Sequence, residues 1–162
     1  FINKINNKIK NIHDEITENK EEIEIEYITE CMNKEEYLRL LKQRRKLDII
    51  KGFTTKGIHR DDFVIYINKK RLDIYGSQGQ NRTSILSLKL SELQVIYDEI
   101  EEEPILLLDD FMSELDEKRR NHFLNKIEDT QVIITCTDKI DIENKNILIY
   151  NVKEGKVIGG GK

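Results

Sequence analysis

Ile105-Leu106-Leu107-Leu108-Asp109-Asp110, followed after two residues by Ser113-Glu114-Leu115-Asp116, is the stretch on which the reading of this chain turns. An apolar run ending in paired carboxylates is how a buried parallel strand delivers acids to the edge of a sheet, where a metal-bound nucleotide can sit. In a nucleotide hydrolase the first acid, Asp109, would hold Mg²⁺ through water. The second, Asp110, would orient or deprotonate the attacking water. An ordinary strand end followed by an acidic turn gives the same letters. Ser113, with Asp116 three residues on, also suits the cap of a following helix, and the two uses are compatible.

Upstream, Gly76-Ser77-Gln78-Gly79-Gln80 opens a long helical pattern. Ser77 is a natural N-cap, and Gly76 and Gly79 permit close backbone approach. Exposed N–H groups at a positive helix end suit phosphate. In the functional version Ser77 Oγ and the Gly79 N–H meet a γ-phosphate; in the plain one the turn simply caps a helix. No Gly-x-x-x-x-Gly-Lys-Ser/Thr loop occurs in the 162 residues. A phosphate at Ser77 would therefore belong to ATP bound on a partner subunit, and the chain carries half of an ATP site.

Outward from these stretches, strands alternate with helices, which implies an α/β sheet with a parallel core. Ile2, Ile5, Ile9, Ile12 and Ile16 recur at helical steps and predict an amphipathic helix over residues 1–20. Ile23, Ile25 and Tyr27 alternate with acids, as in a half-exposed strand. Asn33 with Glu36 forms a possible capping box for a helix to Leu47, with Tyr37, Leu38, Leu41 and Leu47 as its apolar stripe. Composition shifts at the Gly/Thr-rich residues 52–57. Residues 1–51 thus read as a helical arm, and 52–162 as the main α/β portion. Residues 63–67 and 72–75 read as strands joined by a hairpin at Asn68-Lys69-Lys70-Arg71. The helix after Ser77 carries Ile85, Leu86, Leu90, Leu93 and Ile100 and ends before Pro104. Further strands are expected at 131–135 and 147–152. Gly159-Gly160-Gly161-Lys162 lacks the Ser/Thr and following helix of a phosphate loop and reads as a flexible tail.

A net charge of −4, with 36% charged residues, fits a folded domain with charged helices and gives no general attraction to nucleic acid. Local basic clusters remain at Lys42, Arg44, Arg45 and Lys46, at Lys69, Lys70 and Arg71, and at Lys118, Arg119 and Arg120. Each is also what a solvated helix face or hairpin tip shows. His59, with Arg60, Asp61 and Asp62, reads as an ion-paired or DNA-facing segment, since adjacent turn residues rarely converge on one ion. The DNA-binding candidates are Lys69, Lys70, Arg71, His59 and Arg60. His13 and His122 sit in helical patterns and read as surface residues. Cys31 and Cys136, far apart, read as buried or idle thiols of a reducing compartment. The start at Phe1 suggests an excised piece. With no signal peptide or membrane-length apolar run, the cytoplasm is favoured.

Gly76 to Thr83, taken with Leu106 to Asp116, resembles the C-terminal half of the RecF family, bacterial DNA replication and repair proteins among the SMC-related ABC-type ATPases. Gly57-Ile58-His59-Arg60-Asp61-Asp62 is similar to that family's Gly-Pro-His-Arg-Asp-Asp, with Ile58 for the proline. Gln131 to Asp138 resembles its closing strand. Residues 1–51 match only loosely, where the family has its helical lobe. The resemblance implies an α/β fold: a partial ABC-type P-loop ATPase head, the C-terminal lobe without the Walker A half, with a helical arm at its N-terminal end. It implies the ABC signature at Ser77, Gln78, Gly79 and Gln80, which completes a partner's ATP site. It implies the Walker B metal aspartate at Asp109 and the catalytic acid at Asp110, where ABC ATPases usually have Glu. Ser113, Glu114, Leu115 and Asp116 would form the loop that communicates across the dimer, and Thr137 stands where many relatives place a switch histidine.

The same resemblance implies that the intact protein binds ATP and Mg²⁺, forms an ATP-dependent homodimer and engages DNA at gaps or single-strand/double-strand junctions. RecO and RecR would then help it load RecA onto single-stranded DNA. Without the Walker A half, the chain alone is expected to be inactive as an ATPase. Two alternatives stay open: another SMC-like repair or defence ATPase, and a non-catalytic DNA- or protein-binding module.

Overall fold

A computed structural model describes the chain except for residues 111, 113, 114, 128, 129, 138–146 and 162. Helix α1 (Ile2–Thr17) forms where the isoleucine spacing places it, with Ile5, Ile9 and Ile12 turned inward. It stops at Glu18, whose φ of 56° is left-handed. Its stripe lies against the longest helix, α4 (Gln78–Ile100). Lys4 pairs with Glu99, Lys8 with Asp98 at 2.6 Å, and His13 Nδ1 meets Ser87 Oγ at 2.9 Å. Partners descend along α4 as they ascend along α1, so the two helices are antiparallel.

These helices divide two apolar clusters. On one side lies an antiparallel sheet of β1 (Ile23–Ile28), β2 (Asp62–Ile67) and the two-residue β3 (Lys70–Arg71). Ile5, Ile9, Ile23, Ile25, Ile67, Leu72 and Val95 close that cluster. The turn from β2 to β3 has Asn68 and Lys69 at φ 49° and 64°, the pair of left-handed residues that a type I′ hairpin requires. On the other side β4 (Leu106–Asp109) runs parallel to β5 (Val132–Thr135), with α5 (Glu117–Lys126) between them in sequence. Ile12, Leu86, Leu90, Leu108, Met112, Leu115 and Phe123 belong to this second cluster. Each fully buried side chain of this kind is worth about 1.5–3 kcal/mol over its exposed state.

Several expectations need correction. Among the described residues parallel pairing is confined to β4–β5, and the other two sheets are antiparallel. The leucine run is not buried on both faces: Leu108 is inside, whereas Leu107 is 69% exposed. Residues 72–75 form the short helix α3 (Leu72–Tyr75) instead of a strand. There the Gly76 N–H donates to the Leu72 carbonyl at 2.8 Å, and the turn seats Leu72 in the core ahead of α4. Helix α2 (Lys34–Lys51) runs past Leu47 and buries none of its residues, so the stripe read from Tyr37, Leu38, Leu41 and Leu47 packs on no core. Asn33 Oδ1 accepts from the Glu36 N–H at 2.9 Å, while Glu36 reaches back past Asn33 to the Met32 N–H, so the capping box is not reciprocal.

The glycine tail is a strand. β6 (Ile149–Lys153) and β7 (Lys156–Gly161) form an antiparallel ribbon through a turn with Glu154 and Gly155 at φ 51° and 71°. His13 is a core residue, because Ile9 and Ile12 flank it on the same inward face. His122 is half-buried. Both thiols are free, Cys31 half-buried and Cys136 exposed.

Candidate functional site

Ser77 starts α4 as its N-cap. Its Oγ accepts from the Gln80 N–H at 3.2 Å, and Gln80 Oε1 accepts from the Ser77 N–H at 2.9 Å, a reciprocal capping box. Gly76 is required by the chain itself, since a Cβ there would collide with the Leu72 carbonyl and side chain. Gly79 differs. A Cβ there would meet nothing nearer than Arg119 Nη2 at 3.6 Å, an ordinary contact. No described neighbour within the chain forbids a side chain at 79. The turn borders a cavity of about 220 Å³ lined by Lys20, Glu21, Ser77, Gly79, Thr83 and Arg119, among others.

Asp109 and Asp110 are exposed at the C-terminal edge of the parallel pair. Thr135, the register partner of Asp109, fixes both. Its hydroxyl donates to Asp109 Oδ1, and the Asp110 N–H donates to its carbonyl and its Oγ1, each at 3.2 Å. Asp110 has φ 49°, a left-handed conformation that aspartate tolerates better than most residues, and the chain turns off the strand there. Nothing in the letters around Thr135 marks it as an anchor for these acids beyond its place at the end of the second apolar run.

Asp116 is the N-cap of α5, accepting from the Arg119 N–H at 2.9 Å, so that helix begins at Glu117 and not near Ser113. That backbone bond, assisted by the Arg119 guanidinium, holds the Asp116 carboxyl below its usual range. Ser113 and Glu114 lie outside the described residues, and Leu115 is buried in the core. Arg119 also donates through Nε to Thr83 Oγ1 at 2.7 Å and through Nη2 to the Gly79 carbonyl at 3.5 Å. It therefore ties the start of α5 to the first turn of α4. Lys118 pairs with Glu18, and Arg120 donates to the carbonyls of Met112 and Leu115 at 3.3 Å. This basic cluster is occupied by the fold.

The DNA-binding candidates fall into two groups at opposite ends of β2. His59 and Arg60 precede it; His59 Nε2 is 2.9 Å from the Thr54 carbonyl, and Arg60 lies over the Phe53 ring at 5.9 Å. Lys69 and Lys70 follow it, exposed, whereas Arg71 grips Asp73 through Nε and Nη2 at 3.1 and 2.8 Å. At roughly 3.3 Å per residue the length of the strand separates the groups by about 20 Å. Among the described residues no group of three or more His, Cys, Asp or Glu could hold a metal ion. No described helix is long and apolar enough to cross a membrane.

No family model matches the chain. It is 43% identical over 164 residues to the DNA replication and repair protein RecF of Clostridium acetobutylicum, an alignment covering 97% of this chain and 45% of that protein. It is 44% identical over 165 residues to RecF of Clostridium kluyveri, with the same coverage. Among solved structures it is similar to one described as the recombination mediator protein RecF-ATPrS in the RecFOR pathway. The TM-score is 0.73 at 37% identity, over 96% of this chain and 43% of that one. A RecF-ATP structure matches with a TM-score of 0.70 at 38% identity. The chain spans a little under half the length of these relatives. The mixed α/β fold is that of a partial ABC-type ATPase head. On sequence and on fold alike, this chain is a relative of the RecF proteins and corresponds to the C-terminal half of one.

Proposed function

We propose that the protein containing this chain is a DNA replication and repair ATPase in which two copies close around ATP, each supplying to the other the turn at Ser77. The observation that carries this reading is the pair of exposed acids at the C-terminal edge of β4–β5, anchored by Thr135. Asp109 would hold Mg²⁺ and Asp110 would act as general base toward the attacking water. The donor set suits that ion: Mg²⁺ usually takes one or two carboxylates and completes its shell with water and phosphate. When bound, the ion would neutralise charge on the phosphates.

Ser77, Gln78, Gly79 and Gln80 would complete the site of ATP held by the partner, with Ser77 Oγ and the Gly79 N–H meeting its γ-phosphate. The unneeded glycine at 79 supports this, because the room it leaves serves an approach from outside the chain. Asp116, with Ser113 and Glu114, would line the seam between copies, while Leu115, which the core holds, would only anchor that loop. A helical-lobe portion over 1–51 and a C-terminal head portion over 52–162 would share the β1–β2 sheet and both apolar clusters and would not fold apart. Further along the same reading, the intact protein engages DNA at gaps or junctions, and RecO and RecR assist it in loading RecA. Lys69, Lys70, Arg71, His59 and Arg60 remain the DNA-contact candidates.

The test uses the intact protein. Asp110→Asn should leave ATP binding in place and slow hydrolysis, so that an ATP-dependent dimer accumulates in light scattering. A monomer–dimer balance identical to the unsubstituted protein would overturn the enzymatic reading and favour a non-catalytic binding module.

A further inference from the structure

Gln80 belongs to the stretch assigned to phosphate contact, yet its amide is committed at both ends within the chain. Oε1 accepts from the Ser77 N–H, and Nε2 donates to Glu21 Oε1 at 3.0 Å. Glu21 lies just beyond α1, with a side chain 23% exposed. Its other oxygen, Oε2, stands 3.5 Å from Nε2 of His13, which is fully buried and meets Ser87 Oγ through its other ring nitrogen. At 3.5 Å this contact is long and lacks good hydrogen-bond geometry. The chain His13–Glu21–Gln80–Ser77 therefore runs from the α1–α4 core to the turn.

Glu21 does something that Gln80 cannot do alone. A glutamine amide presents a carbonyl at one end and an amine at the other, and its two orientations differ by a half-turn. A carboxylate accepts only. Facing Glu21, the amide must turn Nε2 toward it, which leaves Oε1 for the Ser77 N–H. Without that partner the amide is free to reverse or to swing into water, and fixing it would cost rotamer entropy.

We propose that Glu21 is a positioning residue for the Ser77–Gly79 turn, holding Gln80 as a cap so that Ser77 and Gly79, and not Gln80, make the contact across the dimer. This rests on the nucleotide reading above, and the experiment separates the two. In this chain, Glu21→Ala should speed amide hydrogen exchange at Ser77 and Gln80 by about tenfold, the size expected for a lost cap, and leave Leu90 to Val95 unchanged. In the intact protein the same substitution should weaken ATP-dependent dimerisation by a similar factor. Glu21→Gln, which keeps a carbonyl acceptor, should recover most of both effects, as a merely destabilised fold would not. Unchanged exchange at Ser77 and Gln80 in Glu21→Ala overturns the proposal. So does faster exchange with unaltered dimerisation, provided Ser77→Ala does weaken the dimer. If Ser77→Ala also leaves dimerisation untouched, the nucleotide reading of the turn is what fails.

Discussion

Helices α1 and α2 are alike in length, and the fold treats them oppositely. α1 places isoleucines at 5, 9 and 12, within one narrow stripe, and all three are buried. α2 has as many large apolar residues, but Tyr37, Leu38, Leu40, Leu41, Leu47, Ile49 and Ile50 point around most of the circumference at 100° per residue. Ile49 and Ile50 are 70% and 82% exposed, and nothing on α2 is buried. Apolar content alone therefore does not seat a helix. A phase-coherent stripe does, because burial on one face is what compensates the entropy of ordering the backbone.

The largest effect that would sharpen this contrast comes from truncation on the two helices. Ile9→Ala, at a site with no exposure, should lower unfolding free energy by about 2–5 kcal/mol, through lost transfer energy and a residual cavity. Ile50→Ala should stay within about 0.5 kcal/mol, as surface changes do. Denaturant midpoints at constant m-value decide it. Equal losses would mean that α2 is packed in solution and that the contrast is wrong.

Much of the fold and of the site was legible in the letters for the same reason that α1 was. Periodicity, the Ser77 cap and the β4 carboxylates are local signals, and each lies where it was read. What escaped depended on partners distant in sequence. Ser84, Ser87 and Ser91, residue types that usually face water, are all fully buried on α4. Ser87 and Ser91 donate to the carbonyls one turn back at 2.9 and 2.7 Å, which satisfies their hydroxyls inside the core. The role of Thr135 in fixing both acids could not be read without the β4–β5 register. Leu72 misled because its apolar neighbours fit a strand as well as a single helical turn.

A middle-sized effect tests that buried seam. Ser87→Ala removes the partner of His13 Nδ1 and leaves a polar ring atom unmatched in the core, a loss of about 1–3 kcal/mol. Burial pushes His13 below its ordinary value, and Glu21 pulls it partly back. The folded state thus binds fewer protons than the unfolded one between the lowered value and about 6.5. Stability should rise with pH across that window and fall as the pH drops through it. His13→Asn should flatten that slope, and a slope unchanged by the substitution would show that His13 does not titrate on unfolding.

The caps offer a smaller contrast. Ser77→Ala should cost about 1 kcal/mol of global stability, because α4 is wedged between both apolar clusters. Asn33→Ala removes a comparable cap, but on a helix joined to no core, so the loss should show as local fraying in hydrogen exchange over residues 34–37 and hardly in the global midpoint.

The smallest effect sits at the end of α1, where the packed helix meets water. Glu18 accepts hydrogen bonds from Lys118 and Lys20, and these hold its carboxyl down to about 2. A carboxyl lowered on folding contributes stability that is complete above its unfolded value and is lost as pH falls toward the folded one, here between about 4.5 and 2. The pair is fully exposed, so salt should screen it. Carboxyl NMR titration should find Glu18 low in dilute buffer and rising toward its ordinary value at about 1 M salt or in Lys118→Met, with no change at His13. A Glu18 value that ignores salt would mean that the lowering comes from the buried body of the helix and not from its solvated end, and the division between packed face and exposed terminus would then have to be redrawn.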